Sequence, residues 1–428
     1  MFSYYLKLAL YNIKRAAFIN FLVVLTIAIG VGLVSTNLTL INTMTSNPLA
    51  HKSDRMFHVS MNTWPNDSAN EQPLYVLRYR EVKAILDYQG AKNKFATYQT
   101  GTYVRSETSE TLKRYQANIR AASVDFFALS EAPFKYGSGF ESNHSRHVVI
   151  SDKLNMRLFN GENSVGKNVE FEGQLFTISG VLKPWNLRPL YYHLTDGRAF
   201  NDIEDIFMPL ETAIDTNLYP YARSTSSEGI ESVDKSRDKS IYFYQAWIEF
   251  ERPEQVKDFQ NYLDNYSQQL KDGGEHPNEI INELNDLDSW LIKQELVDDQ
   301  VVALLVASLL FLVVCIFNAS SLLLSRFHAA KFEIGLRRAI GANKMHLLQQ
   351  NLIECIILGV IAGVCALILS WVFLEVSIMF LPHLENLAFT ELKLHMAGMF
   401  MAVLTAVLSA LYPMYRMNRY SISAELKG

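Results

Sequence analysis

At 428 residues, with 49% hydrophobic and 19% charged, the chain has length for two or three domains and apolar material for a sizeable core. Its net charge is −5, and residues 45–300 carry 27 Lys+Arg against 38 Asp+Glu, so no basic surface supports nucleic-acid binding. Cys315, Cys355 and Cys365 all fall in or beside apolar runs, which leaves the large polar segment without a disulfide framework.

Residues 1–15, MFSYYLKLALYNIKR, place Phe2, Tyr5, Leu6, Ala9 and Ile13 on one helical face and lysines on the other. This spacing predicts an interfacial helix, with an extension of the following span as the alternative. Residues 16–44 exceed a signal-peptide core and lack a convincing small-x-small site, so they read as an uncleaved anchor, transmembrane helix 1. Within that span Gly30 and Gly32 permit close helix packing.

Residues 45–300 read as one mixed α/β region. MFHVSMN (56–62) and FTISGVL (176–182) alternate as strands do, whereas YVLRYREVKAILDY (75–88) has helical spacing. HVVISDKLNMRLF (147–159) reads as a strand, then Ser151 or Asp152 as N-cap, then a short helix. Residues 185–245, rich in Tyr, Ser and Asp with weak periodicity, suggest an inserted subdomain. Residues 253–271 and 278–297 look helical, and the second, running on without Gly or Pro, predicts a stalk helix over 278–300 continuous with the next span.

Two chemical motifs fall short. Gly161-Glu-Asn-Ser-Val-Gly166-Lys167-Asn168 nearly spells a phosphate-binding loop, but Asn168 replaces the Mg²⁺-binding hydroxyl and the order is helix-then-strand. Its glycines are better explained as turn residues. His144 and His147 lie in a loop beside a strand, and no zinc spacing or catalytic triad can be assembled, so catalytic, cofactor and metal residues are expected to be none.

Three further apolar runs follow: transmembrane helix 2 (301–324), helix 3 (352–381) and helix 4 (394–411), each near or above the roughly 20 residues that cross a bilayer. Gly359 and Gly363 in helix 3 are spaced for helix contact, and Glu354 near its start needs a partner, expected among the basic residues of 325–350. Lys7, Lys14 and Arg15, then Arg326, Lys331, Arg337, Arg338 and Lys344, then Arg416, Arg419 and Lys427 place both termini and the 325–350 loop inside by the positive-inside rule. The fold class is thus four transmembrane α-helices, one plus three, with a large mixed α/β extracytoplasmic domain inserted between the first two spans.

Within the 325–350 loop, KFEIGLRRAIGANK (331–344) puts Phe332, Leu336 and Ala339/Ile340 on one helical face. Glu333 precedes Arg337 by four, the favourable ion-pair order, Gly341 is placed to end the helix and Asn343 to cap the next. The run Lys331, Glu333, Ile334, Gly335, Arg337, Ala339, Gly341, Ala342, Gln349, Gln350 and Glu354 resembles, without gaps, the cytoplasmic loop of MacB/FtsX-like (type VII) ABC transporter permeases. Residues 122–140 and 148–182 likewise resemble the MacB-like periplasmic core, while 185–245 match no part of it and the tail (412–428) lacks the family's late proline.

The resemblance implies a permease subunit of the bacterial inner membrane that is not itself an enzyme. ATP and Mg²⁺ would act on a separate ABC-type ATPase subunit, and no cofactor belongs to this chain. The loop would be a coupling helix contacting that subunit through Lys331, Glu333, Ile334, Gly335, Arg337, Arg338, Ala339, Gly341 and Ala342. A second permease chain, identical or a related paralogue, is implied, and a periplasmic adaptor is a further candidate partner. Mechanotransmission to the periplasmic domain for efflux or extraction from the periplasm or outer leaflet is the function expected. An FtsX-like signalling scaffold that regulates an external hydrolase is the alternative.

Overall fold

The computed structural model describes residues 2–63, 72–106, 114–185, 187–195, 199–218, 220–221, 237, 241–274, 279–297, 299–340, 343–380 and 392–419. The chain divides into two compact units, Met1–Met44 with Val297–Gly428, and Thr45–Leu296. Helices α1 (Phe2–Arg15) and α2 (Ala17–Thr45) open the chain. Then come β1 (Met56–Met61), α3 (Tyr79–Asp87), β2 (Asn93–Ser106), β3 (Tyr115–Ala122), α4 (Phe126–Leu129) and β4 (Phe134–Gly137). Next are β5 (His147–Ile150), α5 (Asp152–Phe159), β6 (Asn168–Phe171), β7 (Gln174–Leu182), β8 (Ile206–Pro209) and α6 (Leu210–Asp215). The second unit closes with β9 (Gln245–Glu249), α7 (Pro253–Asp272), β10 (Asn282–Asp286) and α8 (Leu287–Lys293). Helices α9 (Asp299–Ala329), α10 (Lys331–Ala339), α11 (Lys344–Phe380) and α12 (Leu392–Arg419) follow.

In the Thr45–Leu296 unit one sheet runs β10-β1-β9-β2-β3-β8-β5-β7-β4, with β6 pairing β2 and β7. Alternate residues of a strand point to opposite faces, and here both faces are covered. Val148, Ile150, Ile206, Met208, Ala246 and Ile248 join the core under α3, α5, α6 and α7. Their neighbours Val149, Phe207 and Trp247 join a second core with Phe126, Tyr191, Tyr192 and Trp290. Burial on both faces explains why these short strands read as apolar runs rather than clean alternations.

Local signals in this unit operate as their residue types dictate. The Ser151 hydroxyl accepts from Leu154 N (3.2 Å) and caps α5. Gly161 and Gly166 have φ of +78° and +84°, the left-handed region a side chain disfavours, so the near-miss loop is a pair of turns between α5 and β6.

Two expectations are corrected. Residues 185–245 are not an inserted subdomain among the described residues: β8 lies inside the sheet between β3 and β5, and Tyr191 and Tyr192 are wholly buried. The weak periodicity has a physical cause, since all four residues of β8 are buried and nothing alternates. Nor do the described residues of 278–300 form the expected stalk helix. Residues 282–286 form β10, an edge strand registered against β1 from Met61↔Asn282 to Phe57↔Asp286. Asp286 accepts from Ser289 N (2.7 Å) to start the short α8, and the chain then turns at Glu295, φ +45°, before α9. An unpaired edge of β1 outweighed the helical preference of NELND, while the polar side chains of β10 suit an outer edge.

In the other unit, α2, α9, α11 and α12 are each long and apolar enough to cross a membrane. Their shared core contains Val23, Ile27, Val31, Ala319, Ala362 and Ala406 among others. Small residues set the spacing, because packing rather than the hydrophobic effect holds helices together in lipid. A Cβ on Gly359 would lie 2.8 Å from the Val403 backbone, and one on Gly363 would lie 3.2 Å from the flexible Met399 side chain. Gly30 faces Cys315 and Leu312 of α9, and Gly32 faces Leu369 and Phe373 of α11.

Candidate functional site

The polar end of the helical unit is built from α1, the end of α9, α10 and the start of α11. Arg326 lies in the last turn of α9, and Glu354 lies three turns into α11. The two form a buried ion pair, and Arg326 Nη1 also donates to Asn20 Oδ1 of α2 (3.0 Å). Asn20 in turn donates from Nδ2 to the Ile13 carbonyl (2.9 Å). The chain of bonds therefore ties α1, α2, α9 and α11 at one level. Glu354 finds its partner in Arg326, held in a helix, rather than in the later basics of the loop.

Helix α10 carries a second set of charges. Glu333 accepts from Arg337 Nη2 one turn on (2.6 Å) and from Arg15 Nη1 of α1 (2.7 Å). Arg337 Nη1 donates onward to Gln350 Oε1 of α11 (3.2 Å). Gly335 is buried and Ile334 packs against the helical core, so the short helix seats one edge on the spans. The opposite edge is apolar and bare: Phe332 is 58% exposed, Leu336 44% and Ile340 80%. Burying such side chains against an apolar surface is worth roughly 1.5–3 kcal/mol each.

Lys331 lies beside Ile334, Pro413 and Met417 around a small recess. The expected contributions of Gly341 and Ala342, and of the Arg338 and Ala339 side chains, fall outside the described residues. Asn343 Oδ1 accepts from Met345 N (3.2 Å), a local cap at the head of α11. No group of three or more His, Cys, Asp or Glu suited to a metal exists among the described residues. Asn20 was not singled out from the sequence. Its signal is a lone amide in an apolar run, which must find a partner in lipid.

Two family models match. Residues 20–266 match the MacB-like periplasmic core domain, and residues 305–422 match the FtsX-like permease C-terminal region. The chain belongs to the MacB/FtsX-like permease family of ABC transporters. As a MacB/FtsX-like permease it is a multi-pass inner-membrane component of a system whose ATPase is a separate subunit, and Thr45–Leu296 is its periplasmic domain.

Solved structures similar to the permease include the periplasmic region of MacB from Actinobacillus actinomycetemcomitans. It is 12% identical with a TM-score of 0.36, over 57% of this chain and 94% of that one. A permease-protein domain from Porphyromonas gingivalis is 15% identical with a TM-score of 0.38, over 55% and 90%. The extracellular domain of the noncanonic ABC-type transporter YknZ from Gram-positive bacteria is 15% identical with a TM-score of 0.34, over 54% and 98%. No curated protein matches the chain.

Proposed function

We propose that this permease transmits the ATP-driven motion of its partner ATPase to the periplasmic domain, so exporting or extracting a substrate from the periplasm or outer leaflet. The observation that carries this reading is the bare apolar edge Phe332, Leu336 and Ile340 on a helix otherwise seated by Gly335 and Ile334. On this reading the edge faces the cytoplasm and docks on the ATPase, with Lys331 and Arg337 at its charged margin.

Force on α10 would travel by two routes. The first is Ile334 and Gly335 against the spans; the second is the Glu333–Arg15 and Arg337–Gln350 bonds into α1 and α11. Two permease chains would move together around two ATPase subunits.

The test is co-purification and ATP turnover of the permease–ATPase complex. Phe332→Asp/Leu336→Asp is expected to lower ATPase capture at least tenfold while leaving the permease folded. Gly341→Pro is expected to keep the complex and uncouple it. Wild-type capture and coupled turnover in both variants would refute the docking face. Stimulation of turnover by an added substrate supports transport, whereas hydrolase activation without it supports the signalling scaffold.

A further inference from the structure

Between α1, the start of α2, α9, α10 and α11 lies a crevice of about 360 Å³. That exceeds by well over an order of magnitude the ~10–15 Å³ a single water needs. Three guanidiniums line it, from Arg15, Arg326 and Arg337, against two carboxylates, Glu333 and Glu354. The local balance is therefore one positive charge. Asn12, Gln350 and Asn351 add amides, while Ile19, Phe327, Phe332 and Leu347 supply apolar wall.

Donors outnumber the acceptors present. Each guanidinium has five N–H groups in a fixed fork. Bonds to described residues use one from Arg15, two from Arg337 and two from Arg326. A group with several acceptor oxygens, one negative charge and an attached apolar body would satisfy both halves of the lining. Arginine forks pair bidentately with phosphate, and basic pockets between membrane helices favour anionic headgroups.

We infer that this crevice binds the phosphodiester of an anionic phospholipid, with Arg15 and Arg337 clasping the phosphate oxygens and the glycerol and upper acyl carbons lying on Ile19, Phe327 and Leu347. A phosphodiester carries the single negative charge that the lining lacks, whereas a zwitterionic headgroup brings no net charge to it. Because Arg15 belongs to α1 and Arg337 to α10, the bound lipid joins the interfacial helix to the helix with the bare apolar edge. The inference rests on the four helices being spans and not on ATPase docking, and its test contains no ATPase.

The experiment uses the full chain, delipidated in detergent and exposed to vesicles of phosphatidylglycerol and phosphatidylcholine in equal amounts, with retained lipid quantified by mass spectrometry. Wild type is expected to retain phosphatidylglycerol at least fivefold over phosphatidylcholine. Arg15→Gln/Arg337→Gln is expected to fall within twofold of parity. Lys344→Gln/Arg416→Gln removes two exposed charges outside the crevice and keeps the preference. Should the double glutamine variant misfold by circular dichroism, Arg15→Gln alone, at a largely exposed side chain, carries the same direction of change.

A parallel arm adds inorganic phosphate to the lipid-free protein. Arginine-dependent phosphate binding without phosphatidylglycerol preference would keep the phosphate chemistry and assign a soluble source. No preference in wild type and no phosphate binding, or equal loss in the Lys344/Arg416 control, would overturn the site.

Discussion

Arg326 and Glu354, 28 residues apart in sequence, form an ion pair buried between α9 and α11, with Asn20 of α2 closing the same guanidinium. Two charges removed from water are stable only while each has the other. Breaking a buried pair by removing one partner costs about 3–5 kcal/mol, whereas an apolar replacement of both is often neutral. Glu354→Leu or Arg326→Leu should therefore lower the melting temperature in detergent sharply, and Arg326→Met/Glu354→Leu should recover most of it. Equal melting points for the single and double variants would show that the pair is not coupled.

Gly359 and Gly363 lie one turn apart and differ in what opposes them. A methyl at 359 meets backbone at Val403 and the Ala406 Cβ, neither of which can rotate away. At 363 it meets Met399 Cγ at 3.2 Å, a side-chain carbon that can shift, and the Met399 backbone only at an ordinary 3.4 Å. Overpacking typically costs about 1–3 kcal/mol. Gly359→Ala is expected at the upper end of that range and Gly363→Ala near zero, measured by thermal unfolding of the purified chain.

His58 is stacked on Trp290 with ring centroids 3.7 Å apart and stands edge-on to Trp247. Burial, aided by the Lys293 charge and opposed by a hydrogen bond to the Tyr75 backbone, pushes its pKa down from 6.5 to about 3. The folded domain thus holds His58 neutral where the unfolded chain would bind a proton. Stability should be full above pH 6.5 and fall between pH 6.5 and 3, by up to about 1.4 kcal/mol per unit. Denaturation followed by tryptophan fluorescence across that window reads the slope, and His58→Phe should flatten it.

Arg120 and Glu204 make the corresponding buried pair in the periplasmic domain, 2.6 Å apart, with Tyr192 stacked against the guanidinium. Burial alone would raise Glu204; the charge of Arg120, then that of His193, and the hydrogen bonds outweigh it and hold the carboxyl below its usual range. Wild-type stability from this group is present above the ordinary carboxylate pKa and lost as pH falls through the lowered one. Arg120→Leu should invert the sign. Glu204 without its cation would be raised, so the variant should gain stability as acid neutralises it. Urea midpoints at pH 7 and pH 5 test this, and identical pH trends in variant and wild type would exclude it.

The spans, the helix at 331–339, the Ser151 cap and the glycine turns were legible because each is a local effect. Twenty apolar residues, a hydroxyl before a helix or a glycine at positive φ need no distant partner to declare themselves. The Glu333–Arg337 pair was legible for the same reason, being one helical turn apart. The failures came where a distant partner decided. NELND became β10 because β1 offered an unpaired edge, and Ile206–Pro209 joined the sheet as β8 between β3 and β5.

The sequence by itself determined the architecture of spans and external domain and marked the segment 331–344. Only the tertiary structure decided that Glu354 meets Arg326, that Asn20 joins them and that Arg15 reaches Glu333. It also decided that Phe332, Leu336 and Ile340 face outward while Ile334 and Gly335 face the spans. Hydrophobic periodicity records how much of a helix wants burial. Which neighbour receives it, and which charges meet, depends on helices brought together in space, from 28 positions apart for Arg326 and Glu354 to 318 for Arg15 and Glu333.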